Sequence, residues 1–211
     1  MKDSALMYKE YESKMQRSGL FEVISENFTL RKALYPGSYI HISPSFYIPE
    51  VVYVDTDKKA IKFFKNDSYL RVIHKKKTYT DESILRFHPI NYQKPIPEEL
   101  GSFDLMISQY AGFISHYCKD YLKPDGILLV NNSHGDAGVA FTDEDYELIA
   151  VINSRSGKFV LSTKNLDQYF IPKKEIEHTK THLLTINRGI GYKKTASHYV
   201  FKKIIRYSGS N

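Results

Sequence analysis

Apolar and polar positions along the chain change their period twice, near Arg31 and near Asn131. Before Arg31, Met7, Tyr8, Tyr11 and Met15 recur three to four residues apart, which predicts a helix with Gly19 as its C-cap. Leu20, Val23, Ile24 and Phe28 keep the same period and predict a second helix. From Arg31 onward, short apolar runs take over. Lys32-Ala33-Leu34-Tyr35 predicts a strand entering the Pro36-Gly37-Ser38 turn, and Val51-Val52-Tyr53-Val54 a second strand ending in Asp55-Thr56-Asp57. Residues 84–87, 103–108 and 127–131 predict three more strands. Ala60, Ile61, Phe63 and Phe64 predict a short amphipathic helix. Residues 113–122 predict another, closed by Lys123-Pro124-Asp125-Gly126.

Buried apolar runs that alternate with helices imply right-handed crossovers and a parallel sheet. Past Asn131 the alternation ends. Residues 146–152, 158–162 and 198–201 are strand-like with little helix between them, which predicts an antiparallel edge or hairpin finishing the sheet. The expected architecture is an α/β three-layer sandwich with a mostly parallel central sheet and antiparallel strands at its C-terminal end. Two N-terminal helices (residues 1–30) pack on a core of residues 31–211, a single structural domain overall.

Composition narrows the class. Hydrophobic residues make up 42% and charged residues 26%, as in globular proteins rather than disordered ones. No apolar run approaches the roughly 20 residues that cross a bilayer, and the polar N-terminus has no apolar h-region. The single cysteine, Cys118, excludes an internal disulfide and a cysteine-based zinc site. A cytoplasmic protein without membrane partners is expected. The net charge of +6 hides an asymmetry: residues 1–154 carry 18 basic and 21 acidic side chains, residues 155–211 carry 12 and 3. Lys158, Lys164, Lys173, Lys174, Lys193, Lys194, Lys202 and Lys203, interleaved with Tyr169, Phe170, Tyr192 and Tyr199, are therefore a candidate nucleic-acid surface. The alternative is a lysine-rich solvated face over core aromatics. Lys75-Lys76-Lys77 reads as a loop.

The order of elements and four local features resemble the class I S-adenosylmethionine-dependent methyltransferases. Tyr35-Pro36-Gly37-Ser38 sits where that family has an acidic-x-Gly-x-Gly loop after its first strand. Asp55 ends the second strand, where the family's acidic residue binds the cofactor ribose, with Thr56 beside it. Asn91 follows the third strand, where an Asp or Asn contacts the adenine amine. Phe103-Asp104-Leu105 and Leu122-Lys123-Pro124-Asp125-Gly126 look like the family's fourth-strand opening and its turn into the fifth. The resemblance implies a methyltransferase-like Rossmann fold, S-adenosylmethionine as cofactor without a metal, and a methyl acceptor. Its implied cofactor residues are Tyr35, Gly37, Ser38, Asp55, Thr56, Asn91 and Ser108. The sequence departs from the pattern at two places. Tyr35 and Tyr39 replace the loop's acidic residue and second glycine, and Ser108-Gln109-Tyr110-Ala111-Gly112 stands in place of an Asp/Asn-Pro-Pro-Tyr/Phe motif. Those departures leave open a non-catalytic binding module, for a nucleotide or nucleic acid, that keeps the fold.

Asn131-Asn132-Ser133-His134-Gly135-Asp136 is the most polar strand end. It makes His134 a candidate general base with Asp136 orienting it, or else a tight turn. His41, Tyr110, Asn131 and Ser133 are candidates to line the substrate cleft. Ser133 and His134 are adjacent and no G-x-S-x-G elbow occurs, which argues against a Ser-His-Asp hydrolase. His178 and His182 have the spacing of a metal pair without a third ligand, and Gly189-Ile190-Gly191 reads as a turn. No Walker A sequence occurs.

Overall fold

A computed structural model describes residues 3–15, 18–155 and 158–204. Its elements run α1 (Ser4–Met15), α2 (Ser18–Asn27), β1 (Lys32–Pro36), β2 (Glu50–Val54), α3 (Lys58–Phe64), α4 (Tyr69–Lys76), β3 (Ile84–His88), β4 (Phe103–Ser108), α5 (Ile114–Tyr117), β5 (Leu122–Val130), α6 (Asp136–Phe141), β6 (Tyr146–Arg155), β7 (Lys158–Ser162), α7 (Lys180–Ile186) and β8 (His198–Lys203). The eight strands form one sheet in the order β3-β2-β1-β4-β5-β8-β6-β7. β1 to β5 are parallel, while β8 runs antiparallel to both of its neighbours.

The apolar runs are continuous because both faces of the sheet are covered. Ala33, Tyr35, Val51, Tyr53, Leu105 and Ile107 face one buried cluster with Leu20, Phe21 and Ile24 of α2 and Ala60 and Phe63 of α3. Their neighbours Leu34, Val52, Val54, Met106, Leu128 and Val130 face a second cluster, with Ile114 of α5 and Ala137 and Ala140 of α6. Each fully buried Val, Leu or Phe contributes roughly 1.5–3 kcal/mol relative to exposure. This is the expected three-layer α/β arrangement with a mostly parallel sheet. α1 packs on α3 and α4, and α2 on β7.

Four details differ from the sequence reading. Gly19 lies in the first turn of α2 rather than capping α1. The cluster Lys75-Lys76-Lys77 is no loop, since Lys75 and Lys76 close α4, whose Tyr69 and Ile73 are buried one turn apart. The helix expected over residues 113–122 is cut to α5 and a 3-10 turn (Lys119–Tyr121), because Leu122 already pairs with Phe103 across the sheet. The β6–β7 hairpin does finish the sheet, but β8 inserts between β5 and β6 instead of lying at the edge. Tyr199, Val200 and Phe201 of β8 are fully buried, as an interior strand requires.

Candidate functional site

The carboxyl ends of β1 to β4 meet at a cleft of about 450 Å3. Gly37, Tyr39, Asp55, Thr56, Asn91 and Tyr110 line it, with Ile90, Tyr92, Gln93 and Ala111 completing the wall. The turn after β1 continues the sheet by one bond, Gly37 N donating to Val54 O at 2.7 Å, and then reverses through Gly37 at φ +65° and Tyr39 at φ +50°. Asp55 fixes that reversal. Its Oδ2 accepts from the Tyr39 amide at 2.6 Å and its Oδ1 from the Asp57 amide at 2.7 Å. Asp57 in turn caps α3 through the amides of Lys59 and Ala60. Capping thus falls to Asp57, and each Asp55 oxygen keeps a second lone pair for a ligand hydroxyl. Asn91 Oδ1 accepts from the Gln93 amide at 2.9 Å.

A second cleft of about 440 Å3 shares Gly37, Tyr39 and Tyr110 with the first and adds Tyr11, Met15, Tyr35, Ser38 and Gln109. Tyr35, expected in the cofactor loop, lines this cleft but is buried, with its hydroxyl meeting His41 Nδ1 at 3.0 Å. His41 does not line either cleft. Its ring is buried among Tyr11, Phe21 and Tyr35, at 5.6–5.8 Å between centroids, where an aromatic cluster excludes water from the imidazole.

Behind the clefts, Asp136 is a buried clamp. It accepts from Ser108 Oγ at 2.5 Å, from Ser115 Oγ at 2.5 Å and from the Ser115 amide, tying the end of β4 to the starts of α5 and α6. Burial pushes its carboxyl up to about 6, against the opposing pull of those hydrogen bonds. Ser108 is therefore engaged away from the cleft. His134 is exposed on the turn, and no Asp136–His134 hydrogen bond forms, so the expected orienting pair is not assembled. The turn is real: Asn131 Oδ1 accepts from the Ser133 amide and hydroxyl, and Gly135 has φ +90°. Asn131 is buried and also donates to Gln109 Oε1 at 3.2 Å, as His198 Nε2 approaches the same oxygen at 3.1 Å.

Farther off, the interleaved aromatics of the basic C-terminal quarter are core. Tyr199 is buried on the interior strand β8, and Tyr169, Phe170 and Tyr192 are buried in the ring cluster packed on it, so they present no face to stack on bases. Lys203 Nζ donates to the carbonyls of Lys119 and Leu122, and Lys194 lies over the Tyr169 ring. His178 pairs with the Tyr192 hydroxyl at 3.0 Å while His182 faces Glu177, so the two rings serve separate partners. Among the described residues no group of three or more His, Cys, Asp or Glu side chains forms a metal cage, and no helix is long and apolar enough to cross a membrane.

Sequence reading missed Tyr92, Gln93 and Ala111 of the first cleft and Tyr11 and Gln109 of the second. Gln93 stands two residues after Asn91 and Gln109 directly after Ser108, so position alone marks them. Tyr11 comes from a helix distant in sequence and carries no local signal. The lining set has the chemistry a nucleoside needs: the Asp55 carboxylate can accept from vicinal hydroxyls and the Asn91 side-chain amide can donate to a base. Neither cleft adds a carboxylate beside Asp55 to take an α-ammonium.

No protein-family model matches the chain and no curated protein matches its sequence. Among solved structures, it is similar to a methyltransferase from Geobacter sulfurreducens, at 10% identity over 76% of this chain and 87% of that one, with a TM-score of 0.50. It is similar to the same degree to the O-methyltransferase from Bacillus cereus in complex with SAH: 11% identity, 76% and 89% coverage, TM-score 0.50. It spans about half the length of the YcgJ protein from Bacillus subtilis, 48% of that chain and 52% of this one, at 19% identity and TM-score 0.40. Together with the strand order, the first two similarities show a class I methyltransferase-like fold.

Proposed function

We propose that the chain is an S-adenosylmethionine-dependent methyltransferase. The observation that carries the reading is that Gly37, Asp55 and Asn91, from three different strand ends, line one cleft at the carboxyl edge of a methyltransferase-like sheet. Asp55 accepts the ribose hydroxyls with the lone pairs its backbone partners leave, and Asn91 meets the base. S-adenosylmethionine bound there supplies an electrophilic methyl group. Tyr39 and Tyr110 stand between the two clefts, where they hold donor and acceptor in line and limit water. His134 lines neither cleft, so it serves as general base only if the Asn131–Gly135 turn brings it to the acceptor.

A second reading, a binding module that keeps the fold without transfer, is favoured by Gly37. A Cβ built there meets the Ala111 Cβ at 2.0 Å, so the glycine's free side faces the loop after β4 rather than open cleft. Calorimetry with S-adenosylmethionine and S-adenosylhomocysteine tests both. Binding of either at micromolar to submillimolar levels supports the first reading, and no binding at millimolar concentration by folded protein removes it.

A further inference from the structure

A third cleft, of about 430 Å3, lies where α1 packs on α3, and its wall carries Lys14, Lys59 and Lys62. Lys59 and Lys62 are one turn apart on α3 and share a face, and Lys14 faces them from the last turn of α1. None of the three forms an ion pair among the described residues, whereas Lys76 of the adjacent helix is paired with Glu12. Glu10 lines the same cleft, so three ammonium groups and one carboxylate leave two positive charges. That matches a phosphate monoester, which carries about −1.5 to −2 near neutral pH.

The lysine cleft does not stand alone. Tyr11 and Tyr39 line it and the second cleft alike, with ring centroids 5.8 Å apart, and the second cleft runs on to Gly37 and Tyr110 at the strand ends. Gln109, only 4% exposed, closes its inner wall. A trough bounded by cations at one end and tyrosine rings along its length describes its occupant: flat along its body and dianionic at the far end.

We infer that this trough binds an aromatic phosphate monoester, with Lys14, Lys59 and Lys62 on the phosphate and Tyr11 and Tyr39 on the ring. Resting on the methyltransferase reading, this molecule is the methyl acceptor. Phenyl phosphate is the probe, titrated calorimetrically into the wild-type chain and into the Lys59→Gln/Lys62→Gln variant, with phenol and inorganic phosphate as controls. Both lysines are exposed, so the variant keeps the wild-type melting temperature. The expected result is binding of phenyl phosphate that weakens at least tenfold in the variant and with added salt, and that exceeds inorganic phosphate and phenol. Equal binding by the two proteins, no binding to the wild type, or phenol binding as tightly as phenyl phosphate overturns the inference. S-adenosylhomocysteine titrated into both proteins keeps the tests apart, because its binding is expected to be unchanged in the variant and judges only the cofactor reading.

Discussion

The amide of Tyr39 donates to Asp55 Oδ2 at 2.6 Å, so the residue that reverses the chain after β1 is held by the first residue after β2. A tyrosine at φ +50° costs about 1–2 kcal/mol relative to right-handed backbone. A hydrogen bond to a charged acceptor returns about 1.5–3 kcal/mol. That balance explains how a tyrosine occupies a loop position where the resembling family has glycine. It also fixes the Tyr39 ring at the junction of all three clefts.

Asp55→Ala therefore acts on stability as well as on any ligand. It strips the acceptor from the Tyr39 and Asp57 amides together, with an expected loss of about 1–3 kcal/mol in urea denaturation. Asp55→Asn keeps one carbonyl acceptor and is expected to lose about half as much. Equal losses for the two variants contradict the clamp.

Gly37→Ala places a methyl group on the Ala111 side chain in a backbone conformation unfavourable to alanine. Overpacking of about 1–3 kcal/mol adds to the left-handed cost of about 1–2 kcal/mol. The Gly37→Ala/Ala111→Gly pair removes the clash but not the backbone cost, so melting temperatures are expected to fall in the order wild type, double variant, Gly37→Ala. A double variant no more stable than the single one contradicts the contact.

These two residues also show how far the sequence alone reaches. Gly37, Asp55 and Asn91 were legible because each follows an apolar run, and strand ends on one sheet edge must lie together. The place of β8 was not, since pairing with β5 and β6 is a long-range choice that a local run cannot encode. Its only trace is that Tyr199, Val200 and Phe201 are apolar on both faces. α4 was legible in principle from Tyr69, Val72 and Ile73, but its three basic last-turn residues resemble a solvated loop. His41 and Asp136 were misread for one reason: periodicity tells where a polar residue sits along an element, not whether aromatic or hydroxyl partners seal it from water.

Asp136 sets a distinctive pH dependence. Its carboxyl, at about 6 in the folded chain against 3.8 when free, binds more protons folded than unfolded between those values. Its contribution is most favourable below about pH 4, declines as pH rises toward 6, by about 3 kcal/mol, and is level above. Asp104 and Asp143 act oppositely. Burial works against their charge, but hydrogen bonds from Lys123 and from Lys180 hold both carboxyls below the ordinary range, so their support is lost on acidification. A carboxyl-carbon NMR titration of Asp136 is expected to show a midpoint near 6. A midpoint below 4.5 contradicts the buried clamp.

His134→Ala separates chemistry from turn formation. With S-adenosylmethionine and a turned-over acceptor, the proposed general base gives a fall in kcat of about two to four orders of magnitude. The exposed side chain leaves the melting temperature unchanged. Full kcat in the variant assigns the segment to the Asn131–Gly135 turn alone.

The most direct measurement returns to the Tyr39–Asp55 bond. In a nitrogen-15-labelled chain titrated with S-adenosylhomocysteine, a ribose on the Asp55 carboxylate must perturb the two amides that share it. The account expects saturable shifts of the Tyr39 and Asp57 signals, with Gly37 and Asn91 moving at the same ligand concentration and the β7 amides still. Absence of shifts at these four positions up to millimolar ligand, or saturable shifts confined to another part of the sheet, contradicts a cofactor site at this cleft.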